Sequence, residues 1–284
     1  AVAALKAGAY DYIVKPFDPD DLSMLIKRAG EQRSLRAENR RLKASLEEVT
    51  TPTPLLGESL EMKRVQELIS TVAPSDSTVL ITGESGTGKE LVARAIHARS
   101  PRRFNPLVVV NCGALAEGVL ESELFGHEAG AFTGARGRHK GKFETAEGGT
   151  VFLDEIGEVS PKVQIELLRV LEDKTVTRLG GNTPFPVDFR VVAATHRDLP
   201  ALAGEGLFRE DLYWRLNVVG IEMPPLRDRP GDIPLLAEQF LLRFGQAMSR
   251  RALTLSPATR EALLAYPWPG NVRELQNAIE RAAV

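Results

Sequence analysis

The chain has 284 residues, roughly two domains' worth, and its 43% hydrophobic and 26% charged residues exclude wholesale disorder. Its 36 lysines and arginines against 38 aspartates and glutamates leave a net charge of −2, so the chain as a whole is not a general binder of polyanions. Its single cysteine, Cys112, excludes internal disulfides and multi-thiolate metal sites, and no apolar run approaches the ~20 residues of a membrane span. We therefore expect a cytoplasmic protein without membrane contact.

Residues 1–29 predict a short αβα segment. A strand-like run at 10–14 leads into Lys15-Pro16-Phe17, and the Asp-Pro-Asp-Asp run at 18–21 is a signal for the start of a helix. The stretch from Gly8 to Phe17 resembles the end of the receiver domain of bacterial response regulators, in which the lysine matching Lys15 contacts the phosphoryl group. The resemblance implies a phosphoacceptor aspartate upstream and a sensor kinase as partner. A plain αβα segment is the alternative.

Residues 30–54 predict a helical linker. Apolar residues and one asparagine recur at heptad spacing, at Leu35, Asn39, Leu42, Leu46 and Val49. This spacing is typical of a coiled-coil seam whose polar position favours a dimer, and an ordinary amphipathic helix is the alternative. The Thr-Thr-Pro-Thr-Pro run at 50–54 ends the helix, so the main domain is expected to begin at 55.

From residue 55 onward, short apolar runs alternate with helical or glycine-rich segments. The predicted strands are Thr78–Thr82, Leu107–Asn111, Thr150–Asp154, Arg190–Thr195 and Asn217–Glu222. This alternation predicts an α/β fold with a parallel five-stranded sheet that is covered on both faces. We expect the α/β part to span 55–225 and a helical part to span 226–284, with Asn271 as the N-cap of the last helix.

The first predicted strand is followed by a glycine-rich loop and a helix through Arg99. The loop consists of Gly83, Glu84, Ser85, Gly86, Thr87, Gly88, Lys89 and Glu90. Its glycines allow backbone N–H groups to converge on phosphate oxygens at the start of a helix, and Lys89 reaches the outer phosphates. The pattern predicts an ATP site, with a tight structural turn as the alternative. Glu90 departs from the general pattern, because serine or threonine normally binds Mg²⁺ there.

Polar residues end three of the predicted strands. Asp154 and the following Glu155 lie at the sheet edge where ligands bind in open α/β folds. We expect Asp154 to hold Mg²⁺, directly or through water, and Glu155 to orient the attacking water; a strand end with a helix cap is the alternative. Asn111 could bond to Glu155 or form a turn. His196 could sense the γ-phosphate or be a satisfied polar residue.

Three arginines in the second half of the chain are candidates for contact with nucleotide charge. Arg209 and Arg215 are six residues apart and are not placed beside the glycine loop by sequence. We expect them to act on the nucleotide of a neighbouring subunit, with surface salt bridges as the alternative. Arg273 lies in the first helical turn, where the dipole disfavours a cation, which indicates an anionic partner such as nucleotide. Pairing with Glu274 or Glu280 is the alternative.

The run from Glu123 to Ala135 contains a loop between two glycines. This loop consists of Gly130, Ala131, Phe132, Thr133, Gly134 and Ala135. The run is the strongest of several matches by which residues 55–284 resemble the AAA+ domain of NtrC-type bacterial enhancer-binding proteins, which activate the sigma-54 form of RNA polymerase. The loop is the signature of that family, and a glutamate at position 90 is the family's usual form.

The resemblance implies an AAA+ P-loop ATPase fold with a helical lid, Mg²⁺-dependent ATP hydrolysis, and assembly as a dimer and as a hexameric or heptameric ring. Phe132 and Thr133 match the loop tip that contacts sigma-54. Hydrolysis would remodel the closed promoter complex through this loop, as part of a two-component phosphorelay. Enhancer DNA is bound in that family by a C-terminal helix-turn-helix, which does not occur in this sequence.

The resemblance also implies roles for individual residues. Lys89 and Thr87 belong to the phosphate loop, Asp154 and Glu155 serve Mg²⁺ binding and hydrolysis, and Asn111 is the switch partner of Glu155. Arg209 and Arg215 match arginine fingers that act across a subunit interface, and Arg273 matches the sensor arginine of the lid.

Other functions remain open on the sequence alone. A nucleotide-gated binding module without turnover would have no use for Glu155 or the two finger arginines. Other AAA+ remodellers, such as a protease partner or a helicase loader, lack the Gly130–Ala135 loop, whose alternative is a buried Ω-loop. The basic residues that follow it are Arg136, Arg138, Lys140 and Lys142. They could approach promoter DNA or polymerase, or form a solvated basic face.

Overall fold

The computed structural model describes residues 18–20, 22–34, 55–247 and 253–283, and the chain divides into two units, 1–51 and 52–284. In the first unit, residues 19–20 and 22–34 are helical, which confirms the predicted start of a helix within the Asp-Pro-Asp-Asp run at 18–21. The helical residues continue past the predicted boundary at 29. The receiver-like stretch at 8–17 and the heptad residues at 35–49 lie outside the described residues. In the part of the chain that the structure describes, no helix has the length and apolar character to cross a bilayer.

The second unit is built on a parallel five-stranded sheet with the order β2-β5-β8-β1-β9. Its strands and those of two small ladders are β1 (Val79–Thr82), β2 (Leu107–Asn111), β3 (Gly126–His127), β4 (His139–Lys140), β5 (Thr150–Asp154), β6 (Thr175–Val176), β7 (Phe185–Pro186), β8 (Arg190–Thr195) and β9 (Val219–Glu222). All five predicted strands are confirmed, with starts at β1 and β9 one and two residues later than expected. The antiparallel pairs β3–β4 and β6–β7 were not predicted.

Helices cover the sheet and form a separate C-terminal layer. They are α1 (Leu60–Val72), α2 (Lys89–Ala98), α3 (Glu117–Phe125), α4 (Lys142–Thr145), α5 (Pro161–Asp173), α6 (Leu199–Gly204), α7 (Glu210–Leu216), α8 (Asp232–Ala247), α9 (Pro257–Ala265) and α10 (Asn271–Ala283). Several begin at sequence signals that satisfy the free N–H groups of the first turn. For example, Ser160 caps α5 by accepting a hydrogen bond from Val163 N–H, and Pro161 occupies the first helical position.

The sheet is apolar on both faces, as the predicted two-sided strands require. Val151 and Leu153 of β5 lie in one buried cluster, and Phe152 lies in the other, because successive side chains of a strand point to opposite faces. Helices α3, α5 and α7 pack on the first face, and α1 and α2 pack on the second. A third cluster, around the buried Trp268 and Leu275, forms the core of the helical lid of α8, α9 and α10.

Two buried charged residues join distant parts of this unit. Arg190 is 1% exposed, and its guanidinium donates to the carbonyls of Val72, Ala73 and Ser77 at and after the end of α1. Asp232, at the start of α8, is fully buried. Its carboxylate accepts hydrogen bonds from the N–H groups of residues 58 and 59 and from the Ser59 hydroxyl, so a lid residue satisfies the backbone that leads into α1.

Asn271 does not cap α10, so that prediction is wrong. It is the first residue of the helix and has a positive φ of 53°. Its side-chain oxygen accepts a hydrogen bond from Leu226 N–H at 2.8 Å, which directs the amide away from its own helix.

Candidate functional site

The glycine-rich loop joins β1 to α2 with a backbone that requires glycine. Gly83, Gly86 and Gly88 have φ values of +142°, +79° and +103°, which lie in the region that favours glycine. At Gly86 a Cβ atom would also lie 2.4 Å from the carbonyl oxygen of Gly270 in the lid. The loop ends where α2 begins at Lys89, so the N-terminus of that helix adjoins the loop and favours an anion.

Lys89 is held against this loop. Its ammonium donates to the carbonyl oxygens of Gly83 and Glu84 at 2.9 and 3.2 Å, and the residue is 6% exposed. Burial lowers the pKa of Lys89, and the nearby carboxylates of Glu155 and Asp154 oppose that change. The ammonium therefore lies between the loop and two acids, where it can neutralise phosphate charge.

A cleft of about 370 Å³ opens at this point, between the loop, the end of β5 and the lid. Its lining residues are Ser85, Gly86, Gly88, Lys89, Glu90 and Leu91 from the loop and α2, Asp154 and Glu155 from the sheet edge, and Phe240, Arg243, Val272, Arg273 and Gln276 from the lid. The volume falls within the range of small-molecule sites. The structure thus brings the predicted phosphate loop and the predicted carboxylate pair into one site.

The acidic part of the cleft could hold a magnesium ion if a phosphate supplied some of the ion's ligands. Burial and the neighbouring Glu155 raise the pKa of Asp154, whose carboxylate accepts from Glu155 N–H at 3.1 Å. Glu90 pairs with Arg94 at 2.6 Å, one turn along α2. Among the residues described, no three His, Cys, Asp or Glu side chains form a metal cluster. Asp154 could therefore hold Mg²⁺ only together with phosphate oxygens and waters, which is the ion's usual arrangement.

Glu155 contacts His196, while Asn111 forms a local turn. The side-chain oxygen of Asn111 accepts hydrogen bonds from the N–H groups of Gly113 and Ala114, both at 3.0 Å. This is the turn-forming alternative, and it occupies the oxygen with local backbone donors. The role of Asn111 as the switch partner of Glu155 stays a prediction. Nδ1 of His196 lies 2.5 Å from Oε2 of Glu155. The backbone of Glu155 has a positive φ of 55°.

The lid brings Arg273 to the glycine loop. Its guanidinium donates to the Ser85 hydroxyl at 3.1 Å, and its backbone N–H donates to the Gly86 carbonyl at 3.3 Å. It lines the cleft together with Lys89, so a cation of the lid faces the same space as the glycine loop. Its sensing role stays a prediction.

Arg209 and Arg215 lie elsewhere. Arg209 precedes α7 and forms an exposed ion pair with Asp211 at 2.6 Å, while Arg215 donates to the carbonyl of Leu171 at 3.2 Å. Neither belongs to the described residues that line the cleft of their own chain. Their action on a neighbouring subunit stays a prediction.

The Gly130–Ala135 loop lies between β3 and β4 and closes on itself. Gly130 N–H donates to the carbonyl of Ala135 at 2.8 Å. Phe132 is 47% exposed and rests edge-on against the ring of His127, with ring centroids 5.0 Å apart. The loop is thus neither a buried Ω-loop nor a free tip, since its aromatic residue is half covered. His127 gave no signal in the sequence, because its contact depends on how the two short strands pair.

The basic residues after this loop are largely paired within the chain. Arg138 lies 3.9 Å from Glu128, Lys140 lies 3.4 Å from Glu144, and Lys142 lies 3.2 Å from Glu123. These ion pairs favour the solvated-face alternative over a patch for nucleic acid.

Family models match two consecutive parts of the chain. A sigma-54 interaction domain matches residues 55–222, and an AAA+ ATPase lid domain matches residues 227–284. ZraR of Escherichia coli, a transcriptional regulatory protein, is 52% identical over 100% of this chain and 63% of its own length. DctD of Pseudomonas aeruginosa, a C4-dicarboxylate transport transcriptional regulatory protein, is 52% identical over 100% of this chain and 62% of its own length.

A solved structure extends the likeness to the fold. NtrX from Brucella abortus in complex with ATP matches with a TM-score of 0.77 and 39% identity, over 99% of this chain and 60% of that one. The chain thus spans 60–63% of the length of these relatives. The glycine loop, the carboxylates at the carboxyl end of β5 and the lid arginine at the cleft all lie within the two matched regions. By these matches the chain belongs to the family of sigma-54 interaction domains, carried here together with a lid domain of the AAA+ ATPases.

Proposed function

We propose that this chain is the ATP-hydrolysing region of a transcriptional activator of the sigma-54 RNA polymerase, and that it works as a homo-oligomeric ring. The observation that carries this function is the cleft where Lys89, Asp154 and Glu155 meet the glycine loop. It combines a phosphate-binding cation with two carboxylates at the carboxyl end of β5, as phosphoryl transfer requires. The similarity to NtrX, which was solved with ATP, supports it.

Each group of the cleft has a task in this reaction. The backbone of 83–88 holds the phosphates, and Lys89 neutralises charge on the outer ones. Asp154 would hold Mg²⁺, which neutralises charge on the phosphate oxygens when it is bound. Glu155 orients the attacking water and takes its proton, and Arg273 contacts the phosphates from the lid.

The site is completed by a neighbouring subunit. Arg209 is exposed, and Arg215 makes a single bond to a carbonyl oxygen, so both guanidiniums can be offered to another chain. An arginine supplied in this way is worth about 10³–10⁵ in rate. A hexameric or heptameric ring would provide such an interface for every subunit; a dimer is the other assembly that the family resemblance implies.

The Gly130–Ala135 loop transmits the result to sigma-54. Phe132 offers an apolar anchor between two glycines, and a Cβ at Gly130 or Gly134 would meet nothing within 4 Å in the part of the chain that is described. We propose that ATP turnover raises these loops and remodels the closed promoter complex. The complete protein would bind enhancer DNA through another domain and receive its signal from a sensor kinase. It would act in the cytoplasm, with no membrane partner.

A substitution at the loop tip tests this division of labour. We expect Thr133→Ala to keep ATP turnover within about twofold and to reduce open-complex formation with sigma-54 polymerase at least tenfold. Thr71→Ala, on an exposed face of α1, is the matched control and should change neither. Loss of both activities in folded Thr133→Ala would contradict separate roles. If the unsubstituted chain shows no turnover at any concentration, a nucleotide-gated binding module is favoured instead.

A further inference from the structure

The lid grips the glycine loop through a buried asparagine. Asn271 is fully buried, and its side-chain amide donates to Glu84 Oε2 at 3.0 Å and to the Ser85 carbonyl at 3.1 Å. Its oxygen accepts from Leu226 N–H at 2.8 Å. One side chain therefore joins the glycine loop, the connection that follows β9, and the first turn of α10.

Glu84 receives a second contact from that connection. Arg227 donates to its two carboxylate oxygens at 2.6 and 2.9 Å, so the pair is bidentate. The hydrogen bonds from Arg227 and, next, from Asn271 hold the pKa of Glu84 at about 2. The carboxylate is therefore ionised throughout the neutral range and accepts bonds from both residues at once.

The backbones of loop and lid also meet closely. A Cβ on Gly86 would lie 2.4 Å from the Gly270 carbonyl oxygen, so these two backbone segments pack against each other without an intervening side chain. The buried Arg229 donates to the Thr87 carbonyl at 3.0 Å from the other side of the connection. Arg273 follows Asn271 by two residues. The point at which Asn271 is anchored therefore decides where the Arg273 guanidinium enters the cleft.

We propose that Asn271 is a positioning residue that links the state of the phosphate loop to the orientation of the lid. The proposal rests on the function given above, since the loop is taken to bind nucleotide. Nucleotide that settles the backbone of 83–88 fixes Glu84 and Ser85, and with them Asn271, Arg273 and the lid. Because linkage is reciprocal, a lid held in this orientation raises the affinity of the loop for nucleotide by the same factor.

Two substitutions remove the contact from opposite sides. Asn271→Asp keeps the size of the side chain and the acceptor for Leu226 N–H, but it sets a carboxylate against Glu84. Glu84→Gln changes the half-exposed partner and keeps its shape. We expect each to weaken the binding of a fluorescent ATP analogue about fivefold. The double variant should be weakened less than the product of the two, because the new amide can donate to the new carboxylate.

The orientation of the lid can be measured separately from nucleotide affinity. A contact with a merely structural role would not change how this orientation responds to nucleotide. Labels at Lys63→Cys and Glu261→Cys, on exposed positions of α1 and α9, report the distance between sheet and lid while the native Cys112 stays buried. We expect the analogue to shift this distance in the labelled parent chain. In Asn271→Asp and in Glu84→Gln, each at saturating analogue, at least half of that shift should be lost.

Controls separate this inference from the function on which it rests. Asn105→Asp is the same chemical change at an exposed, distant asparagine, and it should leave binding and distance unchanged. If Asn271→Asp does not fold, Glu84→Gln alone still tests the link. Additive weakening, or a full shift of the lid in both variants, would overturn the inference alone. Failure of the unsubstituted chain to bind the analogue would overturn the proposed function and the link together.

Discussion

Nδ1 of His196 lies 2.5 Å from Oε2 of Glu155. The carboxylate that we propose to orient the attacking water therefore contacts a residue that follows the neighbouring strand. The contact follows from the topology. Glu155 comes directly after β5 and His196 directly after β8, and these strands are parallel neighbours whose carboxyl ends meet at one edge. Since the imidazole can donate from Nδ1 to the carboxylate, it can fix the direction in which Glu155 points.

We therefore predict that His196→Ala lowers kcat for ATP roughly tenfold to a hundredfold, because Glu155 loses the group that orients it. His196→Asn keeps a donor and should lose less. The binding constant for nucleotide should stay within about twofold in both, since His196 is not among the residues that line the cleft. Steady-state kinetics and analogue titration measure these values, with the exposed His139→Ala as control. An unchanged kcat in His196→Ala would contradict the assignment.

The two finger arginines predict complementation between defective chains. Arg209→Ala and Glu155→Gln should each be inactive alone, because one lacks the group given to a neighbour and the other lacks the group that orients water. When the two are mixed, some interfaces pair an intact Arg209 with an intact Glu155. We expect turnover to return in part, with a maximum near equal amounts. No recovery at any ratio would favour a local role for Arg209 in its ion pair with Asp211.

Gly180 is predicted to let the Gly130–Ala135 loop pack closely, because the absence of a Cβ atom leaves room for Ala131. Gly180 has a φ of +73°, and a Cβ there would lie 2.8 Å from the Cβ of Ala131. Gly180→Ala should therefore displace the loop at a cost of about 1 kcal/mol, which corresponds to roughly fivefold faster trypsin cleavage after Arg136. ATP turnover should stay unchanged. Gly204→Ala, where a Cβ would meet no described atom within 4 Å, is the control, and equal cleavage rates in both would refute the prediction.

The contacts of Glu84 predict a pH dependence of stability. Its pKa is about 2 in the folded chain, against an ordinary value of 4.5. A lowered pKa means that the stabilisation is fully present above pH 4.5 and is lost as the pH falls towards 2. The difference in free energy of unfolding between the parent chain and Glu84→Gln should therefore be constant at neutral pH and shrink below 4.5. Urea titrations at several pH values measure it, with exposed Glu67→Gln as control. A difference that persists unchanged at acid pH would contradict this account.

The fold followed from the sequence because its signals are local. Each central strand is a short apolar run buried on both faces, and the glycine loop has a spacing that only a few backbones allow. The two small ladders were not predicted, because a strand of two residues, such as Gly126–His127, is too short to show an alternation of apolar and polar residues.

Asparagine was the least predictable residue, because its partners depend on the folded chain. Asn111 and Asn271 both stand where turns or caps are expected, and only the first forms its local turn. The partner of Asn271, Glu84, lies 187 residues earlier in the chain. No pattern within a window of the sequence can report such a contact. The same holds for His196, which meets Glu155 only because their strands are neighbours.

The bond between Asp232 and the backbone at 58–59 limits how this protein can be recombined with its relatives. A chimera whose crossover lies in the connection after β9 would pair a foreign helical part with the native residues before α1. Unless both sides of the exchange bring an equivalent acid and serine, a buried negative charge or two backbone donors lose their counterpart. The exchangeable unit is therefore discontinuous in sequence, and it includes the few residues ahead of α1 as well as the C-terminal helices.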